Sequence, residues 1–400
     1  MKPPSPARHV PPMPRCRTLV ALLFCCGVAI RVTPQTTSKP QFKATADLVR
    51  IAVIVRDPHG KAVPNLDAAD FSVTDDGEIQ GIDSFLRVER DRKNRGPRSY
   101  SARTVDGVVD APPYGEAGLS PYLVIAFDSM GGQFREDSEA KLTTGFASRY
   151  FAVRAARKFL QSSNLRNYRV AILGPRGLVQ NFTQDRTQLL WALDQVSESL
   201  PNPAATPLMS AGYDLLQQLK KVPERKSMVI FTDFHANGQD ACCLFFPGSA
   251  DSLPEEAFDA PERFVTAAID ANVALYPVDT RGVVAVIPFG DATTTTGEMN
   301  SGESTEAAQS VTSQISAQNS ELASTNGLLE SVALQTGGRA IAHSNALEQV
   351  FKLLVEDSES YYVLGYYNRQ LVADGRFHRI IVRVNHCTCS VQARAGYFAR

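Results

Sequence analysis

The chain has 400 residues, 44% of them hydrophobic and 21% charged, with a formal net charge of −1 at pH 7. That length supports more than one sizeable core, and the composition is that of a globular protein rather than a disordered or fibrous one. The near-neutral balance excludes a broad electrostatic attraction to nucleic acid or to anionic membrane.

The N-terminus reads as an export signal. Lys2, Arg8, Arg15 and Arg17 precede an apolar stretch from Thr18 to Ile30. A stretch of that length falls short of the ~20 residues a membrane-spanning helix needs. Gly27 and Ala29 offer a small-x-small cleavage pattern, and residues 33–40 make a polar exit. The expectation is a signal peptide over residues 1–30, a periplasmic or extracellular destination, and no transmembrane helix in the mature chain. A retained anchor, or lipidation at Cys25 or Cys26, is the lesser alternative, because Phe24 and Cys25 are poor residues to precede a lipidated cysteine.

The next segment, residues 42–90, is β-rich. The β-branched run from Leu48 to Val55 leads to the turn Asp57-Pro58-His59-Gly60. Phe71 to Thr74 alternates as a strand and ends at the Asp75-Asp76-Gly77 turn, and Gln80 to Val88 continues the pattern. Residues 91–118 are charged and then rich in glycine and proline, and read as a linker.

From residue 119 to 357 strands and helices alternate, which argues a parallel sheet covered on both faces. Strand-like runs are expected at 122–127, 168–173, 227–232, 273–278 and 339–342. Helices are expected around 148–160, 187–197, 207–219, 261–271, 327–335 and 346–355, with Asp185 as an N-terminal cap. Residues 291–325 are rich in Thr, Ser, Gln and Glu and are expected to form a mobile insertion. Residues 358–400 return to β. Neither terminal segment has enough strands for a closed sandwich, so the two are expected to combine into one, with the α/β part inserted between them.

Three residues in the α/β part carry chemistry. Asp128 and Asp233 each follow an apolar strand, and Thr206 precedes the helix that opens at Pro207. Ligands of open parallel sheets bind beyond the carboxyl ends of the strands, and two carboxylates with a hydroxyl are hard donors of the kind Mg²⁺ selects. The same residues also suit a metal-free rim. Aspartates at strand ends pin loops, and Thr206 before Pro207 fits a helix N-cap.

Other groups offer less. Gly131-Gly132 and Gly337-Gly338 lack the context of a dinucleotide site, and no Gly-x-Ser-x-Gly elbow marks a hydrolase. The six histidines show no metal-ligand spacing. No catalytic constellation favours an enzyme. Tyr361, Tyr362, Tyr366 and Tyr367 fit sheet packing better than carbohydrate stacking. Cleavage of the leader removes Cys16, Cys25 and Cys26 and leaves Cys242, Cys243, Cys387 and Cys389. In an exported chain these favour disulfides, joining Cys242 or Cys243 to Cys387 or Cys389, over a zinc site.

Several short motifs, in order, resemble the VWFA-related family of acidobacterial type, whose central part is a von Willebrand factor A-type domain. They are Val55-Arg-Asp-Pro-His-Gly-Lys-Ala-Val63, Asp70-Phe-Ser-Val-Thr-Asp-Asp-Gly77, Asn181-Phe-Thr-Gln-Asp185, Ile230-Phe-Thr-Asp233, Thr336-Gly-Gly-Arg339, Tyr362-Val-Leu-Gly-Tyr366 and Ala393-Arg-Ala-Gly-Tyr397. The resemblance implies a Rossmann-like α/β domain beside a β-sandwich. It also implies binding of a protein, matrix or envelope partner at a metal-ion-dependent adhesion site. The family pattern Asp-x-Ser-x-Ser, Thr, Asp carries over to Asp128, Thr206 and Asp233, while the two serine positions fall on Met130 and Gly132. The implied site is degenerate, and Mg²⁺ binding at it is expected to be weak. The competing expectation is a metal-independent structural or assembly component of the cell envelope.

Overall fold

Three apolar patterns organise the chain, two of period two at its ends and one of alternating strands and helices between. The computed structural model describes residues 48–90, 97–104, 121–128, 139–163, 165, 168–199, 207–222, 225–233, 260–283, 304–368 and 374–399. All of them lie in the unit Ala46–Arg400. The N-terminal strands are β1 (Leu48–Arg56), β2 (Phe71–Asp75), β3 (Glu78–Gln80), β4 (Ser84–Arg90) and β5 (Pro97–Thr104). The middle runs β6 (Tyr122–Phe127), α1 (Glu139–Ser162), β7 (Arg169–Gly174), β8 (Gly177–Thr183), α2 (Arg186–Glu198), α3 (Pro207–Leu219), β9 (Lys226–Thr232), α4 (Ala260–Asp270), β10 (Val273–Asp279), α5 (Ser304–Thr336) and α6 (Gln349–Glu359). The tail holds β11 (Ser360–Tyr367), β12 (Phe377–Val384), β13 (Ser390–Gln392) and β14 (Gly396–Phe398).

N-terminal and C-terminal strands pair directly. One antiparallel sheet has the order β13-β1-β11-β4-β5, and a second has the order β14-β12-β2-β3. β1 runs against β11 from Leu48↔Tyr367 to Val53↔Tyr362, and β2 against β12 from Ile380↔Asp75 to Val384↔Phe71. Val49, Ile51, Val53 and Val55 alternate toward a core that also receives Phe71, Val73, Phe85, Tyr362, Leu364, Ile380 and Tyr397. The two sheets thus share one apolar layer, and each fully buried aliphatic side chain there contributes about 1.5–3 kcal/mol.

The middle forms a five-stranded sheet of order β10-β9-β6-β7-β8. β10, β9, β6 and β7 are mutually parallel, and Ile341 adds a parallel bridge to Val278 beyond β10. The period of two along β6 feeds both faces. Leu123, Ile125 and Phe127 pack with α1, α2 and α6, while Val124 and Ala126 pack with α3 and α4. Asp185 caps α2, accepting the backbone N–H groups of Thr187 and Gln188.

Four features differ from the sequence reading. β8 is an antiparallel edge strand, joined to β7 by a tight turn through which the chain doubles back. The expected linker contains β5, which pairs with β4 from Ser84↔Thr104 to Arg90↔Pro97. The polar segment expected as a mobile insertion is helical from Ser304, as the first half of α5. Its alanines, glutamines and glutamates are good helix formers, and the same helix goes on to bury Leu328, Leu329 and Ala333. Cys387 is bonded to Cys389, with Cα atoms 5.2 Å apart, rather than to Cys242 or Cys243. The two-residue separation already brings that pair within bridging range. Cys242 and Cys243 lie outside the described residues, as do the leader and residues 291–303.

A buried ionic network joins the antiparallel layer to the α/β part. Asp357 of α6, with no exposed side-chain area, takes Arg56 of β1 and Arg339 as ion-pair partners, the latter at 2.7 Å. It also accepts the Tyr276 hydroxyl at 2.8 Å and lies 3.3 Å from the Gln392 amide of β13. Arg394, between β13 and β14, donates to the carbonyls of Arg50 and Ile269 at 2.9 and 3.3 Å.

Candidate functional site

The strand order of the central sheet reverses at β6, whose neighbours are β7 on one side and β9 on the other. The carboxyl ends of strands flanking such a reversal bound the crevice where α/β sheets bind ligands. Parallel register sets Phe127 of β6 opposite Phe231 of β9, so the residues that follow both strands emerge at the same rim. Asp128 follows β6, and Asp233 follows β9.

Asp128 is held on both its backbone and its side chain. Its N–H donates to the Phe231 carbonyl at 2.9 Å, and its Oδ2 accepts the Thr232 hydroxyl at 2.9 Å. Thr232 in turn offers its carbonyl to the N–H and hydroxyl of Thr280, at 2.9 and 3.0 Å. Asp279, at the end of β10, is clamped by Arg281 through Nε and Nη2, both at 2.9 Å. The rim is therefore built from strand ends whose hydroxyls and carboxylates are tied across the sheet.

Arg149, from α1, lies close enough to Asp233 to feel its charge. Its side chain is buried, and it donates to the Ser199 carbonyl. Burial lowers its pKa from the ordinary arginine value, and the Asp233 carboxylate partly offsets that fall.

Asp128 and Asp233 are thus placed on the ends of adjacent strands. Thr206, Met130 and Gly132, the other positions of the expected site, lie outside the described residues. Sequence reasoning passed over two features. Thr232, the direct partner of Asp128, reads in sequence as one more residue of a β-strand. His378, set aside because the histidines show no ligand spacing, lies beside Asp75 and Asp76, brought there by the pairing of β12 with β2. No spacing rule detects residues some three hundred positions apart.

Comparison with protein-family models and with characterised proteins returns no match. Among solved structures, the chain is similar to an aerotolerance-related membrane protein from Bacteroides fragilis NCTC 9343, determined with multiple mutations to serines. The similarity extends over 59% of this chain and 98% of that one, at 13% identity and a TM-score of 0.32. Among the described residues, no helix is long and apolar enough to cross a membrane. The chain is a mixed α/β protein with a largely parallel central sheet and antiparallel sheets beside it.

Proposed function

We propose that the α/β part is an A-type domain that binds a protein, matrix or envelope partner at the rim around Asp128 and Asp233, in an exported protein. The observation that carries this reading is the position of the two aspartates, on adjacent parallel strands at the point where strand order reverses. The order β10-β9-β6-β7-β8 with an antiparallel edge strand supports the A-type assignment. The Thr232 hydroxyl on Asp128 and the Arg149 charge near Asp233 support a rim that keeps its shape with little help from Mg²⁺. The adhesion-type site is then degenerate, with the metal an optional addition rather than a requirement.

The alternative is a metal-independent structural or assembly component of the envelope, favoured by the same two internal partners. Affinity capture from the native envelope fraction, with the full chain as bait, tests both. Binding lost in Asp128→Asn and Asp233→Asn supports the rim, and a further loss on adding chelator assigns the metal a part. Capture that survives both substitutions sinks the rim as the binding surface.

A further inference from the structure

We infer that Asp75, Asp76 and His378 form a binding site for a borderline divalent cation of the zinc class. This site lies in the antiparallel layer, and it stands independently of the rim reading above.

Local structure brings the three together. β2 and β3 are joined by a two-residue hairpin, with Asp75 paired to Glu78 and Asp76-Gly77 as the loop. Both loop residues have positive φ, 49° and 90°, which short hairpins require and which aspartate and glycine tolerate. The loop is pinned to β12 by two hydrogen bonds. The Asp76 N–H donates to the Arg379 carbonyl at 2.9 Å, and the Arg379 N–H donates to Asp76 Oδ1 at 2.7 Å. That leaves Asp76 Oδ2 facing His378, the next residue along.

The donor atoms have the spacing of a ligand set. His378 Nδ1 is 3.0 Å from Asp76 Oδ2 and 3.6 Å from Asp75 Oδ1. The three ligand atoms lie within 4.8 Å of one another. Zinc at about 2.0–2.2 Å from tetrahedral ligands holds those ligands about 3.4 Å apart, between the two distances from His378.

Asp75 supplies the second observation. Its side chain is 1% exposed, and its two oxygens are used differently. Oδ2 accepts three hydrogen bonds, from the hydroxyls of Tyr366 and Tyr397 at 2.9 and 2.8 Å and from the Asn368 amide at 2.8 Å. Oδ1 is buried without any hydrogen-bond donor and is directed at the His378 ring. A buried carboxylate oxygen left without a donor is costly unless it is paired or coordinates a metal. An ion pair with His378 accounts for the contact at Asp76, but at 3.6 Å it leaves Asp75 Oδ1 without a hydrogen bond.

The surroundings suit a metal-ligating imidazole. A ligating ring presents its second nitrogen to an acceptor, and Asp374 Oδ1 faces Nε2 at 3.8 Å, beyond hydrogen-bond range. Stacking on Tyr397, with centroids 5.3 Å apart and planes at 23°, fixes the ring orientation. One nitrogen and two oxygens match zinc or a neighbouring transition metal rather than Mg²⁺ or Ca²⁺, which take oxygen alone. Asp76 is half exposed, so solvent or an exogenous ligand reaches the fourth position.

Calorimetric titration of the full chain with ZnCl₂, and absorption spectroscopy with CoCl₂, test the assignment. One cation per chain is expected, with a nitrogen-oxygen Co²⁺ spectrum lacking thiolate charge transfer. Asp76→Asn keeps an oxygen for the Arg379 N–H and leaves the hairpin intact. It and His378→Ala are each expected to weaken binding at least tenfold. The assignment is overturned by no uptake at millimolar Zn²⁺, by undiminished uptake in folded Asp76→Asn, or by equal competition from Mg²⁺.

Discussion

Asp357 ties several elements of this fold together. It has no exposed side-chain area and meets Arg56, Arg339 and the Tyr276 hydroxyl at once. Breaking a buried pair from one side leaves an uncompensated charge, in this case two guanidinium groups. Asp357→Ala is therefore expected to lower stability by about 3–5 kcal/mol in denaturant unfolding. Tyr276 gives a pH signature. Burial, then the Asp357 carboxylate, pushes its hydroxyl well above the usual range. A phenol raised in the fold stabilises fully below the unfolded value of about 10 and loses that contribution as pH climbs beyond it. Tyr276→Phe should flatten the decline in stability above about pH 10, as followed by circular dichroism. At the rim, Met130→Ser with Gly132→Ser restores the two serine positions of the adhesion-site pattern that the resemblance implies. The double variant is expected to gain a Mg²⁺-dependent rise in melting temperature at millimolar ion that the unaltered chain lacks. No gain would mean that these positions do not converge on a cation.

At the scale of elements, β11 is the strand on which the antiparallel layer depends. It lies between β1 and β4, and both would become edges without it. Deleting the chain from Tyr361 onward is expected to produce aggregation, because β1 would expose Ile51 and Val53 together with an unpaired backbone edge. A monomeric, cooperatively folding truncation would show that β1 and β4 find another arrangement. The α5–β10 junction is equally exacting. Thr336 Oγ1 accepts the Leu275 N–H at 3.0 Å, and a Cβ on Gly338 would run into the Leu275 backbone. The motif Thr336-Gly-Gly-Arg339 is thereby explained by packing and by the Arg339 ion pair, with no ligand required.

At the scale of the whole molecule, the antiparallel layer and the α/β part are joined by polar groups from both. Arg56 and Gln392 reach Asp357, Arg394 reaches Ile269, and the Ala395 N–H donates to the Gln335 carbonyl at 3.0 Å. Buried groups that satisfy one another across a joint leave costly orphans when one side opens. Scanning calorimetry of the mature chain is expected to show one transition, and two resolved transitions would mean the joint is weaker than its burial implies. Export belongs to this scale as well, with the mature chain expected to begin between about residues 30 and 37 in the native host. Mass spectrometry that recovers Met1 from a cytosolic fraction would remove it.

Much of the architecture is local in origin and was legible in the chain. Strand–helix alternation from Tyr122 to Glu359 marks the α/β part, and Asp185 announces the start of α2. Those signals depend on residues a few positions apart, so composition and period reveal them. The α5 helix escaped because its first half is mostly polar, while the buried Leu328, Leu329 and Ala333 lie in its second half. Strand partners are a different matter. Which edge β5 joins and that β8 runs antiparallel depend on register, which no composition records. The same holds for chemistry. Asp128 and Asp233 were readable as strand-end carboxylates, but their shared rim and the Thr232 hydroxyl follow from parallel register. Asp75, Asp76 and His378 meet only because a tail strand pairs with one from the beginning of the domain, so the tertiary fold alone decides that they share a site.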